Sequence, residues 1–256
     1  MLNIKEAPCG YIGCPKSTDI IKEILLGILY PRRCPICGEI VMEKDSTICA
    51  PCRKYACPIQ EPRCRKCSKE LDSDEKEYCY DCMRTPHFYT RGIAVFPYDN
   101  YLKKSIYQMK FHNKREYNDF YVDEMLRFSG RVLSEWKPDV IVPVPLHKSK
   151  QRQRGFNQSE LLARGIGKKL GIPVSSNLVL RVRATMPQKE LSKKNRKINL
   201  KNAFKINKYD VKLKRILLID DIYTTGTTID TIACELLKQG AEQVYFAVVC
   251  IGREDS

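Results

Sequence analysis

No stretch of this chain approaches the roughly 18 consecutive apolar residues that a membrane-spanning helix requires, so no such span is expected. Met1 to Glu6 lead into no apolar core with a small-residue cleavage site, which argues against a secretory signal and makes the cytoplasm the expected location. Negative charge is also in short supply: 30 Asp and Glu stand against 45 Lys and Arg, a formal charge of +15. The imbalance is local, with 28 basic and 10 acidic residues between Tyr101 and Asp220, an excess of 18, while the remainder is slightly acidic. Such a field attracts polyanions, whether nucleic acid, phosphates or pyrophosphate, although a solubilising basic surface fits the same numbers.

Cysteine, by contrast, is plentiful, and eight of the 13 residues fall into four Cys-x-x-Cys pairs. Cys34, Cys37, Cys49 and Cys52 form a first set with eleven residues between its pairs; Cys64, Cys67, Cys79 and Cys82 repeat it at a period of 30. A reducing compartment favours such pairs as metal ligands rather than disulfides, and four thiolates satisfy one tetrahedral zinc. Two closed four-cysteine sites imply two structural zinc ions with no open catalytic position. Gly38, just after Cys37, allows the tight knuckle turn. The repeat favours sequential pairing of the knuckles, with an interleaved arrangement left open. Cys57 is left over, and Cys9 and Cys14 lack the knuckle context.

With 256 residues and 43% hydrophobic content, a split into two unequal domains is expected. Residues 1–30 read as a leader and an amphipathic helix, 31–86 as a double zinc ribbon, and 87–256 as an α/β domain. In the last, Gly92–Phe96 reads as a strand, the segments from Tyr101 to His112 and from Tyr117 to Leu133 as helices, and Asp139–Pro145 as a buried strand ending in a proline-stiffened loop. A basic loop follows, with Lys148, Lys150, Arg152 and Arg154 ahead of a helix ended by Gly171 and Pro173. It suits a pyrophosphate-like anion, and a merely solvated basic loop is the plainer alternative.

The most informative stretch is Arg215 to Ala233. Ile216–Ile219 reads as a strand buried on both faces, and Asp220 and Asp221 stand where it should emerge. Thr224, Thr225, Gly226, Thr227 and Thr228 then open a helix with Ile229, Ile232, Ala233 and Leu236 on one face. Free amides at a helix N-terminus, a close-approach glycine and four hydroxyls make a phosphate cradle. No lysine follows Gly226, so this is not the nucleotide-binding P-loop, and Ile222 occupies the place where a haloacid-dehalogenase phosphatase needs an acid. Adjacent carboxylates suit vicinal hydroxyls. A sugar phosphate fits both halves, whereas helix capping alone would explain only part of the series.

This stretch resembles the phosphoribosyl-pyrophosphate (PRPP) motif of the type I phosphoribosyltransferases. The resemblance implies that Asp220 and Asp221 hold the ribose hydroxyls, that Thr224 to Thr228 hold the 5'-phosphate, and that Lys148, Arg152 and Arg154 face the leaving pyrophosphate. Arg154-Gly-Phe-Asn-Gln158 after Val-Pro-Val-Pro, the upstream knuckles, and Arg181-x-Arg-x-Thr185-x-x-Gln188 continuing to Arg196 narrow it to the ComF family of competence-associated phosphoribosyltransferase-like proteins. Membership implies a Rossmann-like α/β type I phosphoribosyltransferase fold behind a small double zinc ribbon, Mg2+ with PRPP, and a flexible loop carrying Gln188 and Arg196. It also implies a role in DNA uptake, with single-stranded DNA and a DNA-uptake helicase or recombination protein as partners. The alternative is a non-catalytic module that senses PRPP or binds DNA or a protein. A glutaminase domain is lacking, which disfavours amidotransfer, and no catalytic residue or acceptor is legible.

Overall fold

A strand in the middle of a parallel sheet is covered on both sides, so its side chains must be apolar at consecutive positions. Ile216, Leu217, Leu218 and Ile219 meet that requirement, and all four are fully buried. In the computed structural model, which describes residues 31–183, 202–207 and 213–253, they lie in a strand flanked on each side by another. The second cysteine unit ends within helix α1 (Tyr80–Arg84), which carries Cys82; strand β1 (Arg91–Pro97), helices α2 (Asn100–Phe111) and α3 (Tyr117–Glu135), and strand β2 (Val140–Pro143) follow. Helices α4 (Lys148–Arg154) and α5 (Gln158–Leu170), strands β3 (Val179–Arg181), β4 (Phe204–Ile206) and β5 (Arg215–Tyr223), helix α6 (Thr227–Lys238) and strand β6 (Gln243–Ile251) follow. The main sheet runs β1-β6-β5-β2, all parallel, while β3 and β4 form a separate antiparallel pair.

Side chains alternate across a strand, and that alternation sorts the layers. Leu217 and Ile219 join Leu102 and Ile106 of α2, Phe120 of α3 and Leu162 of α5 on one face. Ile216 and Leu218 join Ile232 and Leu236 of α6 and Val179 and Phe204 of the small ladder on the other. The elements start and stop where local chemistry says they should. Asp99 accepts the Leu102 amide at the start of α2, and Gly155 and Gly171 take the left-handed conformation at the ends of α4 and α5. Among the described residues, no helix is long and apolar enough to cross a membrane.

The cysteines pair sequentially, Cys34, Cys37, Cys49 and Cys52 in one cluster and Cys64, Cys67, Cys79 and Cys82 in the other. Sulfur–sulfur separations of 3.6 and 3.7 Å match the edge of about 3.8 Å expected for a tetrahedron with zinc–sulfur bonds near 2.3 Å. The backbone repeats with the same period. Cys34 N–H donates to the Glu39 carbonyl as Cys64 N–H does to that of Lys69, and antiparallel bridges join Arg33 to Ile40 and Arg63 to Glu70. The residue after the second cysteine takes a positive φ in both units, Gly38 at 83° and Ser68 at 69°, so the second knuckle makes the same turn without glycine. Lys69 is 4% exposed and paired with Asp81 at 2.9 Å beside the second cluster, where a cation would offset the negative charge that four thiolates leave on a bound dication.

Neither ribbon stands apart from the sheet. Cys34, Ile36 and Ile48 belong to the core that contains α2 and α3, and Cys64, Cys67 and Cys79 to the core that contains α6. Because metal binding at a structural site is folding free energy, zinc should stabilise the whole described unit. Elemental analysis is expected to find about two zinc ions per chain. Chelation should lower the midpoint of the sheet's own unfolding in a single transition. One zinc per chain, or sheet melting untouched by a chelator, would contradict this.

Candidate functional site

Strand β5 is longer than its apolar run. It continues through Asp220 and Asp221 to Tyr223, because β6 runs alongside it and offers partners as far as Ile251. Strand β2, on its other side, stops at Pro143, and the last bond across that gap is from Val144 N–H to the Ile219 carbonyl. Beyond it the chains part. The opening is a cavity of about 270 Å³ at the C-terminal end of the sheet, the general location of ligand sites in open α/β folds.

Gly226 shapes one wall. Its φ is 73°, and a Cβ there would lie 2.2 Å from the Tyr223 hydroxyl, so both conformation and space exclude a side chain. It forms the N-cap of α6, and Thr224, Thr227 and Thr228 line the cavity with it. Thr225 is not among the lining residues; its hydroxyl lies 2.8 Å from that of Thr227 and steadies the turn. Tyr223 in turn exchanges a 2.8 Å hydrogen bond with Tyr89 and stacks on Phe246, so the floor of the turn rests on the second zinc unit's side of the core.

The two acids form the opposite wall. Asp220 Oδ1 accepts from Ser159 Oγ at 2.8 Å and from the Asp221 amide at 2.9 Å, and Asp221 Oδ2 lies 2.5 Å from Lys110 Nζ. Burial raises the Asp220 carboxyl to about 7, the neighbouring charge of Asp221 adds to the rise, and Lys110 and Ser159 oppose it. Lys110-Phe111 is among the steps that resemble the ComF family, but nothing in the sequence ties Lys110 or Ser159 to the acids, since α2 and the first turn of α5 are brought here only by the fold.

The basic segment is a short helix, α4, capped by His147, whose Nδ1 accepts the Ser149 amide. Helical periodicity then divides its cations. Lys150 and Arg154 are four residues apart and line the cavity, whereas Lys148 and Arg152 share another face and are exposed. Arg154 Nη1 donates to Gln158 Oε1 at 3.2 Å, and Arg181 at the end of β3 completes this rim. Gln188 and Arg196 lie outside the described residues.

Comparison with known proteins agrees with this architecture. A double zinc ribbon domain matches residues 25–83, and a phosphoribosyl transferase domain matches residues 123–256. Competence protein F of Haemophilus influenzae is 32% identical over 223 residues, 83% of this chain and 93% of that protein. The chain belongs to the ComF family. Other relatives include the DNA utilization protein YhgH of Escherichia coli, 32% identical over 86% of this chain and 97% of its own length. The competence protein ComFC of Bacillus subtilis is 25% identical over 78% and 82% respectively. The ComF chain therefore joins a double zinc ribbon to a phosphoribosyltransferase domain.

The acid pair has a consequence for stability. A carboxyl whose pKa is raised on folding contributes stability that is complete below the usual carboxylate range and is lost as pH rises through about 7. Asn at position 220 keeps an acceptor for Ser159 and the Asp221 amide but carries no charge. Asp220→Asn should therefore melt close to the parent near pH 4 and increasingly above it as pH rises to about 7, the gap widening by ~1.4 kcal/mol per pH unit across that window and staying constant at higher pH. A difference independent of pH would contradict the buried like-charge pair.

Proposed function

We propose that this ComF protein binds Mg2+-PRPP in the crevice and transfers the phosphoribosyl group to an acceptor. One observation carries the reading: the carboxylates of Asp220 and Asp221, the Thr-Gly start of α6 and the cations Lys150 and Arg154 open onto the same cavity. The backbone amides at the start of α6, with Thr224, Thr227 and Thr228, would take the 5'-phosphate. Asp220 and Asp221 would accept from the ribose hydroxyls, and Lys150, Arg154 and Arg181 would face the pyrophosphate. Lys148 and Arg152, exposed on the other side of α4, would act on incoming anions at longer range.

Magnesium takes oxygen ligands, which the acids and the pyrophosphate supply, and it would neutralise part of the leaving charge. Transfer forms a bond between the anomeric carbon and the acceptor's nucleophile. The bond from that carbon to the pyrophosphate oxygen breaks, its electron pair leaves with pyrophosphate, and the acceptor's proton passes to solvent. With a cationic transition state, positioned charges rather than covalent chemistry from the protein lower the barrier. Gln188 and Arg196, assigned to this substrate by the family resemblance alone, lie outside the described residues.

The competence and DNA-utilization names of the relatives support a place in DNA uptake; single-stranded DNA or a DNA-processing protein is the proposed partner, and the cytoplasm the proposed location. The second reading, a PRPP-binding module without transfer, is favoured by the assignment of both carboxylates among the described lining residues to the ribose, which leaves neither for an acceptor's proton. One experiment separates them. Calorimetry with Mg2+-PRPP should show binding that weakens about tenfold or more in Asp221→Asn, measured where both chains are folded. Pyrophosphate release, screened over nucleobases, amines and single-stranded DNA, should appear with one acceptor. Binding without release under any acceptor supports the module, and unchanged affinity in Asp221→Asn would sink the assignment of the acids.

A further inference from the structure

Beside the crevice, over α2, lies a larger cavity of about 650 Å³. The two share Tyr98, Lys110, Lys150, Arg154 and Ile222, so they are parts of one depression. Their linings differ in kind. The crevice contains Asp220 and Asp221, whereas the second cavity is lined by five cations, Lys103, Lys104, Lys110, Lys150 and Arg154, and by no carboxylate among the described residues. Its remaining wall is mainly apolar and aromatic: Tyr98, Ile106, Tyr107, Phe111 and Ile222.

Each property alone would admit many ligands. Cations alone attract any anion, and an apolar wall alone accepts any apolar group. Together they select a flat ring that carries negative charge, because the ring covers apolar surface while its anion meets the ammonium groups. Tyr107 and Phe111 are each about half exposed, with ring centroids 4.8 Å apart, and Arg154 lies over the Phe111 ring at 4.7 Å. Such a surface is available for stacking. The size fits as well, since small-molecule pockets span about 300–1,000 Å³. If Lys150 and Arg154 face the pyrophosphate and Lys110 holds Asp221, then Lys103 and Lys104, which line the second cavity but not the crevice, are left for the second ligand. Burial and the neighbouring charges of Arg181, Arg154 and Lys110 depress the Lys150 ammonium.

We propose that this cavity binds a small aromatic acid, an aromatic or heteroaromatic ring bearing a carboxylate, as the acceptor of the transfer. Its role as acceptor rests on the phosphoribosyl-transfer reading above; its preference for an anionic ring does not. The cavity meets the crevice at Tyr98, Lys110, Lys150, Arg154 and Ile222, whereas Arg181 and the Thr-Gly turn line the crevice and not the cavity, so a ring in the cavity would lie next to a phosphoribosyl group bound in the crevice.

The test is a fluorescence titration of the full chain with 2-aminobenzoate and with its neutral counterpart 2-aminobenzamide, orotate serving as a competitor. The acid should bind saturably, about tenfold or more tighter than the amide, and orotate should displace it. Lys103→Glu combined with Lys104→Glu, and separately Tyr107→Ala, alter exposed side chains and should fold normally. Each should weaken 2-aminobenzoate about tenfold while Mg2+-PRPP affinity, measured by calorimetry, changes by less than about threefold. Equal affinity for acid and amide, no effect of either variant, no binding of either acid, or capture only of an oligothymidylate strand would each overturn the proposal. Failure of Mg2+-PRPP to bind the parent chain, with 2-aminobenzoate behaving as expected, would remove the PRPP reading and leave the cavity's assignment standing.

Discussion

Strand β5 must be covered on both faces, and the rest of the fold is arranged to cover it. Its four central residues are fully buried, and they divide the molecule into a layer under α2, α3 and α5 and a layer under α6 and the β3–β4 ladder. Each layer also takes in one zinc unit, so the ribbons extend the two cores and do not form a separate body. Because β6 supports β5 beyond the point where β2 stops, the strand carries two carboxylates out of the core and into the crevice. The same extension places Tyr223 beneath Gly226, where it fixes the turn that opens α6. Burial of one strand thus sets the position of both the acids and the anion cradle.

The site works against its own stability. Adjacent carboxylates in a partly buried position repel each other, and Asp220 rises to about 7 as a result of burial and of Asp221. Lys110 and Ser159 limit the repulsion without removing it. A site of this kind is better suited to a ligand that brings hydroxyl donors and a cation than to being empty, which is the usual trade between stability and function in binding sites. On the facing rim, Lys150, Arg154 and Arg181 crowd together with the opposite sign. The acid wall and the cationic rim would match the hydroxyl and pyrophosphate ends of the proposed substrate.

Much of this was legible in the sequence because its signals are local. The cysteine period, the apolar run with its two acids, and the Thr-Gly loop each lie within a short window, and the helices from Asn100 and Tyr117 start close to where their patterns begin. The rest depends on contacts between distant segments. Lys110 and Ser159 reach the acids from α2 and α5, and no spacing rule links them to residue 220. The split between Lys150 with Arg154 and Lys148 with Arg152 follows from a helix where a loop was expected, since a basic run without an apolar stripe gives little sign of its periodicity. Ser68 shows the converse, a positive φ held by the knuckle's geometry where composition gives no glycine to mark it.

The central claim is that the crevice between the ends of β2 and β5 is where PRPP binds. Amide hydrogen exchange, followed by mass spectrometry with and without saturating Mg2+-PRPP, tests that location directly. The account predicts slower exchange in the peptides spanning residues 220–230 and 148–159, with the zinc units and α3 unchanged. Binding seen by calorimetry with protection confined to other segments would contradict it.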